Sequence, residues 1–415
     1  MSTKRNIIVG QSGGPTAVIN SSVAGVYMAA KELGFNKIYG MLHGIQGLLD
    51  EQYVDLSTQL QSDLDVELLK RTPSAFLGSC RFKLPEISAD PDMYEKIFRI
   101  LEKLEIDVLC YIGGNDSMDT IKQLSDYAAQ KGYSQKFMGV PKTIDNDLAI
   151  TDHTPGFGSA AKYIATATKE VIRDALGLSY NKENITVMEI MGRNAGWLTA
   201  AVALAKTEEC CGPDLIYLPE LPFDMDKFVA KVEALVKKQK NVVVAVSEGI
   251  KLADGRYVCE LSGGGDYVDA FGHKQLQGTA AYLAGFLSSK IGCKTRGIEF
   301  STLQRCASHI SSRTDIEEAF MVGSAAVKAA VEGHTGKMIT IERVSDDPYR
   351  SQTGIYDIHD IANNERVVPR EWINEDGDYV TEEFINYAKP LIQGELQPFM
   401  VNGLPQHLVV NKDKK

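Results

Sequence analysis

Short apolar runs alternate along this chain with longer stretches whose apolar residues recur every three or four positions. Residues 6–10, 107–112, 137–140, 185–190 and 241–246 are nearly continuous apolar runs, as strands buried on both faces require. Residues 17–33, 117–130 and 194–205 follow three of these runs and read as helices. In the helix over 117–130, Met118, Ile121, Leu124 and Ala128 share one face, so it is predicted to pack on a sheet with its N-terminus at the strand end. This βα rhythm predicts an α/β protein built on parallel sheets. A further helix over 158–177 follows the turn Thr154-Pro155-Gly156-Phe157-Gly158, after which the rhythm restarts, and a domain boundary falls near 156. From 346 onward the chain is polar, which suggests an extension wrapped on the second domain with a frayed tail over 411–415.

Composition narrows the function class. A chain of 415 residues, 44% of them hydrophobic, can fill a large core in two or three domains. A net charge of -11 argues against a nucleic-acid partner, so any anionic ligand must meet a local cluster of cations. No run approaches the ~20 apolar residues of a membrane span. The start Met1 to Arg5 leads into a strand rather than a signal segment, so the cytoplasm is the expected compartment. The seven cysteines show no metal-ligand spacing and read as reduced thiols.

The chemistry sits where predicted strands end. Gly113-Gly114-Asn115-Asp116-Ser117 opens a helix, where a backbone without Cβ atoms can approach a phosphate. Gly10-Gln11-Ser12-Gly13-Gly14-Pro15 makes a similar strand-to-helix turn; a tight βα connection is the other reading of its glycines. Pro141-Lys142-Thr143-Ile144-Asp145-Asn146-Asp147 supplies a lysine and two carboxylates two residues apart, which in extended chain face one side. These are materials for a base, a metal ligand and a charge clamp. Glu248 ends the run at 241–246, and Arg81, Arg193, Arg296 and Arg305 are candidate phosphate ligands.

In their order along the chain, Ser12-Gly13-Gly14, Gly78 to Phe82, Gly113 to Ser117, Pro141 to Asp147, Met191-Gly192-Arg193, Ser247-Glu248-Gly249 and Leu303-Gln304-Arg305 resemble the phosphofructokinase family over about residues 5–335. The resemblance implies two Rossmann-like parallel-sheet domains with the active site in the cleft, plus a C-terminal extension. Residues 1–156 with 304–345 would form the phosphoryl-donor domain. Residues 157–303 with 346–415 would bind fructose 6-phosphate and carry the extension. The chain looks like the pyrophosphate-dependent branch, because Asp116 and Lys142 stand where ATP-using relatives have glycines. A carboxylate ~4 Å from a nucleotide phosphate opposes it by about 4 kcal/mol at an effective dielectric of 20.

By the same resemblance Asp145 is the base, Lys142 supplies the positive charge that helps pyrophosphate bind and leave, Thr143 and Arg81 follow the migrating phosphoryl group, and Asp116 excludes nucleotide. Gly13, Gly114 and Ser117 bind the donor, Gly13 through its backbone amide. Thr143, Asp145, Met191, Gly192, Arg193 and Glu248 meet the sugar, and Arg296, Thr302 and Arg305 its 6-phosphate. Asn115 and Asp147 would hold Mg²⁺; Asn115 replaces the usual aspartate and coordinates without charge. Thr302 stands where histidine or tyrosine is common. The implied partners are pyrophosphate and fructose 6-phosphate, in a homo-oligomer, dimer or tetramer. An ATP-dependent phosphofructokinase and a weakly active regulatory subunit of such an enzyme are the alternatives.

Overall fold

The computed structural model describes residues 6–178, 181–262, 276–362 and 364–412. The expected lead-in at 1–5 and the tail beyond 412 lie outside them. Among the described residues, eleven strands make up the two main sheets: β1 (Asn6–Gln11), β2 (Lys37–Met41), β3 (Tyr53–Asp55), β4 (Ile106–Gly113), β5 (Lys136–Pro141), β6 (Asn184–Ile190), β7 (Leu215–Tyr217), β8 (Asn241–Ser247), β9 (Lys294–Glu299), β10 (Lys337–Asp346) and β11 (Tyr349–Asp357). One sheet has seven strands in the order β11-β10-β5-β4-β1-β2-β3, the other four in the order β7-β8-β6-β9. The second is parallel throughout, and the first is parallel except at β2–β3 and β10–β11. Central strands such as β1 are buried along their whole length, which is why they read as unbroken apolar runs. No helix among the described residues is long and apolar enough to cross a membrane.

Two helices carry the chain between sheets. Helix Phe157–Leu178 buries Phe157, Ala160, Ala161 and Ile164 in the core of the second sheet. Helix Arg313–Val331 returns Val322, Ala326 and Val327 to the core around β1 and β4. There it crosses helix Ile19–Glu32 backbone to backbone. A Cβ on Gly25 would lie 2.1 Å from the Phe320 carbonyl oxygen, and one on Gly323 2.2 Å from that of Ser22.

The C-terminal region departs from the sequence reading. The cut expected at 346 falls at the tip of the β10–β11 hairpin, so residues 349–357 extend the first sheet rather than wrapping the second. β11 is an exposed edge strand of mostly polar residues, so it carries no apolar run to reveal it. The chain then crosses over: Val368, Ile373, Phe384, Tyr387 and Leu391 pack in the core of the second sheet, while Leu408 and Val410 return to that of the first.

A buried ionic network ties the hairpin to the segment after β5. His153 lies between Asp152, 2.7 Å from Nδ1, and Glu318, 2.6 Å from Nε2. Tyr349 and Ser351 each donate a 2.6 Å hydrogen bond to Glu318, and Arg343 pairs with Asp152 at 3.0 Å. Burial works against a charged His153, but the Glu318 and Asp152 carboxylates outweigh it and push its pKa up to about 9. The folded chain therefore holds this proton more tightly than the unfolded chain. The resulting stability is complete below about pH 6.5 and is lost as pH rises through about 9. Chemical denaturation across that window is expected to show a loss of up to about 3 kcal/mol. His153→Gln is expected to flatten the slope, and an unchanged slope in the variant would contradict this assignment.

Candidate active site

The strand order of the first sheet reverses at β1 and β4, since β2 lies outward of one and β5 outward of the other. Ligands in α/β sheets bind in the crevice such a reversal opens at the strands' carboxyl ends. Three loops meet there. After β4, Gly113 is required because a Cβ would sit 1.9 Å from Ser117 Oγ. Helix Asn115–Lys131 starts at once, with Asp116 in its first turn and Ser117 buried. After β1 the backbone turns at Gly13 with φ 75°. After β5, Lys142 donates its backbone N–H to Gly113 O at 3.1 Å and its ammonium to Gly14 O at 2.7 Å, linking all three loops.

Lys142 is only 2% exposed. Burial drives its pKa down to about 8; Asp145 and Asp147 pull it back up, while Arg305 and Arg81 push further down. Arg305 is likewise lowered by burial and by Arg81. These cations lie within one another's fields around a common space, so an anion placed there is favoured. Burial raises Asp145, which Lys142 and Arg193 hold down, and raises Asp147 to about 7 with help from Asp145 and Glu365.

The two carboxylates reach the cleft differently from expectation. The segment is not extended: Asn146 is left-handed at φ 54°, held by its Nδ2 on Tyr387 OH at 2.9 Å and by Thr154 N–H on its Oδ1 at 3.0 Å. Asp145 N–H donates to Thr143 Oγ1 at 3.0 Å, which fixes the turn from the other side.

The second sheet supplies the facing wall. After β6, Met191 N–H donates to Gln304 Oε1 at 3.1 Å, and Gly192 N–H to Glu248 Oε1 at 3.3 Å. Burial raises Glu248 to about 7, with the Gly192 bond acting against it. Gly249 keeps the two loops close, as a Cβ there would lie 2.0 Å from Arg193 O.

A cleft of about 590 Å³ results, lined by Gly13, Arg81, Gly114, Asn115, Asp116, Ser117, Lys142, Thr143, Asp145, Asp147, Met191, Arg193, Glu248 and Arg305. Gly192 supports the wall through its backbone. Thr302 lines an adjoining 380 Å³ chamber that shares Arg81, Arg193, Glu248 and Arg305. Arg296 is not brought in: it projects from the exposed strand β9 and lies 3.6 Å from Asp174. Nor is the Gly13 amide free, since it donates to Cys80 O at 3.1 Å. Asn194 and Glu365 also line the cleft, unanticipated. Glu365 had no signal beyond its place in a polar stretch far from the motifs.

Both polar atoms of the Asn115 side chain and Asp147 Oδ1 are buried without a hydrogen-bond partner. Unpaired oxygens facing a cleft suit a hard divalent cation. No three His, Cys, Asp or Glu side chains cluster as a metal site among the described residues. Oxygen donors with few carboxylates fit Mg²⁺, which keeps several of its waters.

Residues 6–330 match the family model described as Phosphofructokinase. The pyrophosphate--fructose 6-phosphate 1-phosphotransferase of Halomonas elongata is 42% identical over 97% of this chain and 95% of its own. Its namesake from Xanthomonas campestris is 40% identical over 98% and 96%. The crystal structure of pyrophosphate-dependent phosphofructokinase from Nitrosospira multiformis is 40% identical and superposes with a TM-score of 0.87, covering 97% of this chain and 95% of that one. With the sheets, the cleft and these likenesses in agreement, the chain belongs to the phosphofructokinase family.

Proposed function

We propose that this chain is an enzyme that reversibly transfers a phosphoryl group from pyrophosphate to the 1-hydroxyl of fructose 6-phosphate, giving fructose 1,6-bisphosphate and phosphate. The observation that carries the donor assignment is the buried Lys142, whose ammonium reaches Gly14 O at 2.7 Å across the donor crevice, with Asp116 lining the same cleft. A lysine there adds charge toward pyrophosphate, and the carboxylate opposes the further phosphate and bulk of a nucleotide.

Asp145, raised by burial and steadied by Lys142 and Arg193, is the base that takes the 1-hydroxyl proton. Lys142, Arg81 and Thr143 surround the path of the phosphoryl group, whose transfer depends on positioning and charge. Met191, Arg193 and Glu248 orient the sugar, with Arg305 and Thr302 toward its 6-phosphate. Asn115 Oδ1 and Asp147 Oδ1 would hold Mg²⁺. When bound, the ion offsets charge on the phosphoryl oxygens. The working form is taken to be a homo-oligomer, dimer or tetramer, and Arg296, exposed on an edge strand and outside the cleft of its own chain, is read as a 6-phosphate ligand offered to a second copy.

Replacing both donor-site side chains, Lys142→Gly with Asp116→Gly, is expected to lower kcat/KM for pyrophosphate by about a hundredfold or more and to raise turnover with ATP. Retained pyrophosphate turnover would sink the donor assignment. Asp145→Ser is expected to depress kcat by about 10²–10⁴ with little change in sugar binding. If steady-state kinetics instead showed only a higher KM for the sugar, Asp145 would not be the base.

A further inference from the structure

Glu365 belongs to the C-terminal extension, beyond the stretch the family model covers, yet it lines the cleft. It gets there by backbone pairing. Leu148 and Glu365 form an antiparallel bridge, and Arg366 N–H donates to Asp147 O at 2.8 Å. Paired residues in such a bridge stand about 5 Å apart, so Glu365 runs alongside the segment that carries Asp147. Asn194 Nδ2, on the facing wall, donates to Glu365 Oε2 at 3.3 Å, and both residues line the cleft. Arg366 locks the crossing. It donates to Thr151 O at 2.7 Å and to Tyr387 OH at 3.1 Å, and its guanidinium lies 4.4 Å from the centre of the Trp197 ring.

The cation-holding wall is short of charge. Asn115 is neutral, and its buried amide oxygen and Asp147 Oδ1 are the orphan acceptors. Of the two candidate ligands only Asp147 carries charge, while Asp145 serves the sugar hydroxyl and Asp116 opposes a nucleotide donor. Glu365 runs beside the segment of Asp147, lines the same cleft and bears on that carboxylate by charge, which suits a role outside the ligand shell. We propose that Glu365 supplies, as an outer non-ligating charge, the negative charge that Asn115 lacks, so that the C-terminal extension helps to hold the divalent cation at the donor site. This inference rests on the phosphoryl-transfer reading and adds a residue to it. Glu365 is exposed, so its effect is screened, amounting to a few-fold in affinity and shrinking with added salt.

The test is Mn²⁺ binding to the full chain with pyrophosphate present, followed by water-proton relaxation. Glu365→Gln keeps the volume and an acceptor for Asn194, and at an exposed position it leaves folding intact. It is expected to weaken Mn²⁺ binding about three- to tenfold at low salt. Adding Asn115→Asp to that variant is expected to recover most of the loss, because the charge returns at the other end of the wall. Wild-type affinity in Glu365→Gln, or no recovery in the double variant, would overturn the inference and leave the phosphoryl-transfer reading standing. No Mn²⁺ uptake by the wild-type chain with pyrophosphate would overturn both.

Discussion

The ammonium of Lys142, taken out of water where three strand-end loops meet, is the constraint on which the cleft depends. Removing an ion from water carries a penalty of several kcal/mol unless neighbours answer it. Here Gly14 O accepts from it directly, while Asp145 and Asp147 lend opposite charge. Arg81 and Arg305 act against it, so the cations beside the cleft crowd one another. An anionic donor relieves that strain. The same field steadies the ionised form of Asp145 against the burial that would protonate it. One buried cation thus links donor affinity to the readiness of the base.

The loop bearing the two carboxylates is held from a distance in sequence. Asn146 sits in a left-handed conformation that an asparagine tolerates better than most residues, and Tyr387 from the C-terminal region secures its side chain. Arg366 grips the next stretch through Thr151 O. The Asp152–His153–Glu318 network anchors its end to helix Arg313–Val331. The segment after 346 therefore supports the chemistry from behind, although it carries none of the family's motifs.

Much of this was legible in the sequence because the site sits at the ends of strands buried on both faces. β1, β4, β5, β6 and β8 are apolar runs with glycine, lysine or acid at their carboxyl ends, so the motifs and the strands mark each other. β9 and β11 lie at sheet edges and hold no fully buried residue, so neither shows such a run. Arg296 illustrates the consequence: an arginine on an edge strand reads in sequence like Arg305, yet only Arg305 turns into the cleft of its own chain. The bond from the Gly13 amide was hidden for another reason, because its partner Cys80 comes from a loop that no local pattern connects to it. Glu365 arrives through a backbone bridge to Leu148, a pairing of distant segments that periodicity cannot reveal.

The most direct test of the account is formation of fructose 1,6-bisphosphate by the purified chain from fructose 6-phosphate and Mg²⁺, with pyrophosphate and ATP compared as donors. Turnover with pyrophosphate, and a kcat/KM for ATP lower by about three decades, is the predicted result. Turnover with ATP alone would contradict the role given to Lys142 and Asp116, and turnover with neither would contradict the phosphoryl-transfer reading itself.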